Sequence, residues 1–224
     1  MKYFFKIVLL FLLPGFSSQA IFAQDQHPAF WDEIQAFKKQ DKIKPPPKNA
    51  ILFVGSSSFR MWTDVQEAFP GYTIINRGFG GSSLPDVIRY MDDIIIPYKP
   101  KQIVIYCGDN DLAANDTVTA QTVADRFKTL ITGIRKKLGN VPVAYVSIKP
   151  SPSRAMLIPK AMMANQLIEN YLKHKNKTAF IDVYHAMVTP DNKPMPDIFK
   201  EDNLHMNAKG YAIWQKVIQP YLLN

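Results

Sequence analysis

Cysteine is nearly absent from this chain: Cys107 stands alone among 224 residues. No internal disulfide can form, and no thiolate cluster can hold a metal. Its place in the apolar run Ile103-Val104-Ile105-Tyr106-Cys107 reads as a buried strand, not a redox centre. No calcium-loop spacing occurs among Asp109, Asp111 and Asp202, so metal and cofactor are both expected to be none. Internal repeats and low-complexity tracts are missing, which excludes solenoids and linkers. Acidic residues are in deficit, with 27 Lys+Arg against 19 Asp+Glu and a net charge of +8. That excess is scattered over Lys38-Lys39, Arg135-Lys136-Lys137 and Lys173 to Lys177, near predicted element ends. Solvated helix ends account for it, and no nucleic-acid partner is expected.

Long hydrophobic runs are missing too. Ile7 to Leu13 is too short to span a bilayer, but Lys2 and Lys6 precede it and small residues lead to Ala23. Residues 1–23 read as a signal peptide, with export to the periplasm or beyond. No cysteine follows Ala23, so no lipid anchor and no stable membrane attachment are expected. The mature chain, about 200 residues, suits one domain with a single sizeable core. Its oligomeric state is not legible.

What is present is an alternation of apolar runs and helical stripes. Residues 24–49 hold a helix with Phe30, Trp31, Ile34 and Phe37 at helical spacing, then the stiff connector Lys44-Pro45-Pro46-Pro47-Lys48. From residue 50 to 224 five strands are predicted: Ile51 to Val54, Tyr72 to Asn76, Ile103 to Cys107, Val143 to Ile148 and Ala179 to Val183. Between them lie stripes such as Leu84, Val87, Ile88, Met91, Ile94 and Ile95, closed by Pro97. The alternation predicts an α/β fold: a flavodoxin-like three-layer sandwich, with a five-stranded parallel sheet of order 2-1-3-4-5 and helices on both faces.

Polar residues collect where these strands end. Ile51-Leu52-Phe53-Val54 runs into Gly55-Ser56-Ser57-Ser58, which places a serine at a strand's carboxyl end and a helix start. Gly78-Phe79-Gly80-Gly81 follows the second strand, with a spacing wrong for a dinucleotide fingerprint. Gly108-Asp109-Asn110-Asp111 follows the third, and Asp202-Asn203-Leu204-His205 precedes the last helix. In a parallel sheet these stretches share one edge, and each supplies a different part of an acyl-transfer site. Ser57 would attack, His205 would act as base and then acid, and Asp202 would hold the other ring nitrogen. The N–H groups of Ser57 and Gly81, with the Asn110 amide, would form the oxyanion hole.

At these blocks the sequence resembles the SGNH (GDSL-type) hydrolases, over about Ala50 to Tyr211. Asn76-Arg77-Gly78-Phe79-Gly80-Gly81 and His205-Met206-Asn207-Ala208-Lys209-Gly210-Tyr211 resemble the branch with platelet-activating-factor-acetylhydrolase-like esterases. The resemblance implies hydrolysis of carboxylic esters without a metal. Ser56 stands where the namesake motif has Asp, and Ser82 where many members have Asp.

Three other histidines compete for the base: His27 precedes the sheet, His174 ends a lysine-rich helix, and His185 follows the fifth strand. His185 ranks second, since its acidic neighbour Asp182 falls inside that predicted strand. Lys149-Pro150-Ser151-Pro152-Ser153-Arg154 leaves the fourth strand toward the same edge. Lys149 and Arg154 are either ordinary surface cations or substrate contacts that orient a polar or anionic leaving group. The expected substrate is a small-molecule or glycan ester with a short acyl group, such as an O-acetyl group on carbohydrate. A lysophospholipase or thioesterase is the alternative chemistry, and a non-catalytic carbohydrate-binding domain the alternative class.

Overall fold

A computed structural model describes residues 27–224. The signal-peptide expectation for residues 1–23 lies outside them. The strands are β1 Ile51–Gly55, β2 Ile74–Gly78, β3 Gln102–Tyr106, β4 Val143–Val146 and β5 Thr178–Ile181. All pairings are parallel, in the order β2-β1-β3-β4-β5. The helices in chain order are α1 Trp31–Ile43, α2 Ser57–Arg60, α3 Val65–Ala68, α4 Leu84–Arg89, α5 Met91–Ile94, α6 Asp109–Ala114, α7 Ala120–Leu138, α8 Ile158–Lys173 and α9 Ala208–Ile218.

Every residue of β1, β3 and β4 is buried, because helices cover both faces of the sheet. Alternate side chains enter different cores. Leu52, Val54, Ile103, Ile105 and Tyr145 pack with α1, α4, α7 and α8. Ile51, Phe53, Val104, Tyr106 and Val146 pack with α2, α3 and α9, around Trp62 and Trp214. Trp214 is fully buried, so its replacement by alanine should cost about 3–5 kcal/mol. α7 starts at Thr119, whose side chain accepts from the Thr122 N–H, and ends in Arg135, Lys136 and Lys137. Both ends suit the helix dipole.

Several boundaries differ from expectation; β4, for one, stops at Val146 and not at Ile148. The predicted stripe from Leu84 to Ile95 breaks at Tyr90, whose hydroxyl donates 2.7 Å to the Ala29 carbonyl ahead of α1. β2 lies two residues later than predicted. Gln66 accounts for this, since its side chain takes the Tyr72 carbonyl and the Ile74 N–H. β5 stops at Ile181, which leaves Asp182 outside the strand. Arg77, in one of the branch-like blocks, is occupied in anchoring α1: it pairs with Asp41 and stacks on Phe37 at 4.9 Å.

Candidate active site

The turn that carries Ser57 depends on a glycine. Gly55 ends β1 at φ 139°, and a Cβ there would lie 1.9 Å from the Tyr106 carbonyl oxygen. Only glycine lets β1 turn this close to β3. Of the three serines that follow, Ser56 and Ser58 are each 2% exposed, while Ser57 is half-buried at the start of α2. The turn is braced from behind. Asn76 Nδ2 donates to the Phe59 carbonyl at 2.7 Å, and Tyr211 Oη to the Ser58 carbonyl at 2.9 Å. Ser57 Oγ lies 3.0 Å from His205 Nε2.

His205 sits on a short turn before α9, closed by an antiparallel bridge between Phe199 and Met206. Asn203 reverses the chain at φ 54°. This folds Asp202 back on its own turn. Its Oδ1 accepts from the Leu204 and His205 N–H groups, both at 2.9 Å, and its Oδ2 meets His205 Nδ1 at 2.6 Å. A carboxylate at Nδ1 selects the tautomer with its proton there, leaving Nε2 to accept from the Ser57 hydroxyl. Burial by itself would raise the Asp202 pKa; the imidazole and the two N–H donors outweigh it and hold the carboxyl at about 2.

The other edge of the site is built on α6. Gly108 enters that helix at φ 124°, a conformation that favours glycine, and a Cβ there would press on Val123 and Ile148 at 3.0 and 3.1 Å. Asn110 Nδ2 donates to the Ser82 carbonyl at 3.1 Å and lies 3.7 Å from where a Cβ on Gly81 would stand. Ser82 is fully buried, and its hydroxyl donates 3.1 Å to the Gly55 carbonyl, which joins the Asn110 side to the Ser57 turn. Among the described residues, neither the Ser57 nor the Gly81 N–H has a hydrogen-bond partner in the protein. Two free donors beside an amide can stabilise a developing oxyanion.

The Lys149–Arg154 loop does reach this edge, but its cations are turned inward. Lys149 is buried, with Nζ 3.2 Å from Asp109 Oδ2 and 3.4 Å from Tyr106 Oη. It is therefore not presented to a substrate. Arg154 Nη1 lies 2.6 Å from Asp109 Oδ1, and Nη2 donates 2.7 Å to Asn110 Oδ1. Burial would raise the Asp109 pKa, yet Lys149 and Arg154 outweigh it and lower it. Burial lowers the Lys149 pKa against the pull of Asp109. The same inward pairing occupies Asp111, which accepts from the Leu84 N–H and from Arg126, both at 2.8 Å. Among the described residues no group of three or more metal-ligating side chains occurs. Cys107 is buried, which pushes its thiol pKa up and away from reactivity.

Of the competing histidines, His27 stacks on Trp31 and His174 caps α8. His185 is different. It forms its own pair with Asp182, Nδ1 to Oδ2 at 2.6 Å, because Asp182 lies just beyond β5. Sequence reasoning missed this pair by running the strand two residues too far. It also missed the role of Asp109, although the residue directly precedes Asn110.

The fold and this geometry describe an ester hydrolase built on a parallel α/β sheet. The chain belongs to the GDSL-like lipase/acylhydrolase family, whose sequence profile matches residues 52–213. No curated protein matches it in sequence. Among solved structures it is similar to a candidate acylhydrolase from Bacteroides fragilis, at 23% identity and a TM-score of 0.73, covering 85% of this chain and 95% of that one. A GDSL-like lipase from Bacteroides thetaiotaomicron is similar at 21% identity and TM-score 0.70, covering 84% and 95%. A variant of an acetyl-xylooligosaccharide esterase from Geobacillus is similar at 13% identity and TM-score 0.63, covering 80% and 96%.

Proposed function

We propose that this protein is an exported serine esterase that hydrolyses short-chain carboxylic esters, in particular O-acetyl groups on carbohydrate. The observation that carries the reading is the Ser57–His205–Asp202 chain, with contacts of 3.0 and 2.6 Å. Ser57 Oγ attacks the ester carbonyl as His205 Nε2 takes its proton. The charge that develops on the carbonyl oxygen is met by the Ser57 and Gly81 N–H groups and by Asn110 Nδ2. His205 then protonates the leaving alcohol, and a water activated by the same imidazole releases the acid from the acyl-serine. Asp202 keeps the ring oriented and stabilises the imidazolium without taking the proton.

The acyl preference draws on two supports. The sequence has no inserted amphipathic lid of the kind a long acyl chain needs, and the similar acetyl-xylooligosaccharide esterase acts on acetylated sugar. Export rests on residues 1–23; a mature N-terminus at Gln24 in the exported fraction would establish it. Among the described residues no helix is long and apolar enough to cross a membrane. The decisive experiment is a chain-length series of p-nitrophenyl esters beside acetylated xylan oligomers, with Ser57→Ala as control. Turnover that falls steeply beyond short acyl groups supports the reading. A maximum at long chains would make the protein a lysophospholipase or thioesterase instead, and glycan binding without turnover a carbohydrate-binding domain.

A further inference from the structure

The exit loop of β4 touches both halves of the site, and neither contact is explained by the triad. Ser153 gives its N–H and its hydroxyl to the Asn203 carbonyl, both at 3.0 Å, between Asp202 and His205. One residue later, Arg154 reaches Asn110 Oδ1 at 2.7 Å. The loop is itself anchored from below, because Lys149 and Arg154 grip the two oxygens of Asp109 at 3.2 and 2.6 Å. The Lys149 and Asp109 side chains are 1% and 9% exposed, and Arg154 is 17% exposed. Charges taken this far from water persist only when paired, and here they are paired around one amide.

A primary amide is nearly symmetric in shape, so its working orientation must be set by its partners. A guanidinium has donors and no acceptor, so whatever faces Arg154 must be the Asn110 carbonyl oxygen. That forces Nδ2 to the opposite side, where one proton goes to the Ser82 carbonyl at 3.1 Å and the other is left over beside Gly81. A cation on the amide oxygen also draws density from the nitrogen and strengthens its N–H donors. The loop's cations are spent on the machinery, not on a leaving group.

We propose that Arg154, held in place by the buried Asp109–Lys149 pair, is a positioning residue that orients and polarises the Asn110 amide toward the oxyanion. The inference rests on the esterase reading for its kinetic consequence, but its geometric claim stands without it. An Arg154 contact to substrate would appear in KM; a positioning role appears in kcat.

The test uses the full-length protein with Arg154→Ala, Arg154→Lys, Asn110→Ala and the Arg154→Ala/Asn110→Ala double variant, assayed on p-nitrophenyl acetate. Arg154→Ala should lower kcat by about 10–100-fold, less than the about 10²–10³ typical of losing an oxyanion donor outright. KM should stay within about twofold, and Arg154→Lys should recover part of the loss. In the Asn110→Ala background the same change should cost less than about twofold, since the amide it acts through is gone. An equal loss in both backgrounds, or a raised KM at constant kcat, would overturn the proposal. If Arg154→Ala does not fold by circular dichroism, Arg154→Lys alone and combined with Asn110→Ala carries the same comparison. A second readout needs no turnover. The Asn110 side-chain amide resonances, assigned by their loss in Asn110→Ala, should shift and exchange faster in the Arg154 variants. Unchanged resonances would sink the idea even in an active enzyme. Failure of an organophosphonate to label Ser57 in the wild type would instead strike the esterase reading and leave the resonance test to decide this one.

Discussion

The chain forms the same Asp–His pair twice. At Asp182-Val183-Tyr184-His185 and at Asp202-Asn203-Leu204-His205, the aspartate takes the histidine N–H with Oδ1 and meets its Nδ1 with Oδ2. The Nδ1–Oδ2 distance is 2.6 Å in both, and the aspartates are similarly exposed, at 44% and 47% of their side chains. The difference lies at the far nitrogen. His205 is 21% exposed with Nε2 on Ser57 Oγ, whereas His185 is 69% exposed. His185 borders a cavity of about 500 Å³ whose other walls include Met162, Met163 and Phe180. An Asp-His pair is thus a local product of a three-residue spacing. It becomes a candidate base only where the fold brings a hydroxyl to it.

The largest effect should separate the two turns outright. Ser57→Ala or His205→Ala should cut kcat for p-nitrophenyl acetate by a factor on the order of 10⁶, with far-ultraviolet circular dichroism unchanged. His185→Ala should leave the rate within about twofold. Comparable losses at His205 and His185 would mean that the wrong turn has been assigned. Label from an organophosphonate should sit on Ser57; finding it on Ser56 or Ser58 would shift the register of the nucleophile.

Next in size are the aspartates. Asp202→Asn should lose about 10⁴ in kcat, because the amide favours the wrong imidazole tautomer, while Asp182→Asn changes little. Asn110→Ala should then cost about 10²–10³ in kcat with KM nearly constant. Retained turnover in that variant would remove Asn110 from the oxyanion hole.

The smallest effect concerns protons. The Asp202 carboxyl is held at about 2 against an ordinary 3.8. A carboxyl pKa depressed in the folded state contributes stability above the unfolded value, and that contribution fades as pH falls through about 2. A carbon-13 titration of Asp202 should show its midpoint near the lower figure. In His205→Ala, with the imidazole bond gone, it should move upward. No movement would mean that the backbone donors alone hold the carboxylate.

Much of this was legible in residue order because its causes are short-range. Apolar runs without charge, such as Ile51 to Val54 and Ile103 to Tyr106, announce strands covered on both faces, and their alternation with helical stripes implies a parallel sheet. The boundaries that slipped did so where a distant side chain intervened: Gln66 at the start of β2, Tyr90 in the middle of a helical stripe. The cations at 149 and 154 slipped for a related reason. A sequence shows that Lys149 and Arg154 flank a stiff loop; it does not show that Asp109, forty positions away from Lys149, draws that loop inward.

By itself, then, the sequence determined the alternation of strands and helices that builds the sheet, and the Asp202–His205 turn, whose bonds close within three residues. The tertiary structure decided which histidine meets the serine, a contact across 148 positions, and whether the loop's charges face solvent or Asn110. Bonds within one turn follow from local geometry that any three-residue spacing can repeat. A bond between distant segments exists only after two cores have packed and set the height of each strand end against the others.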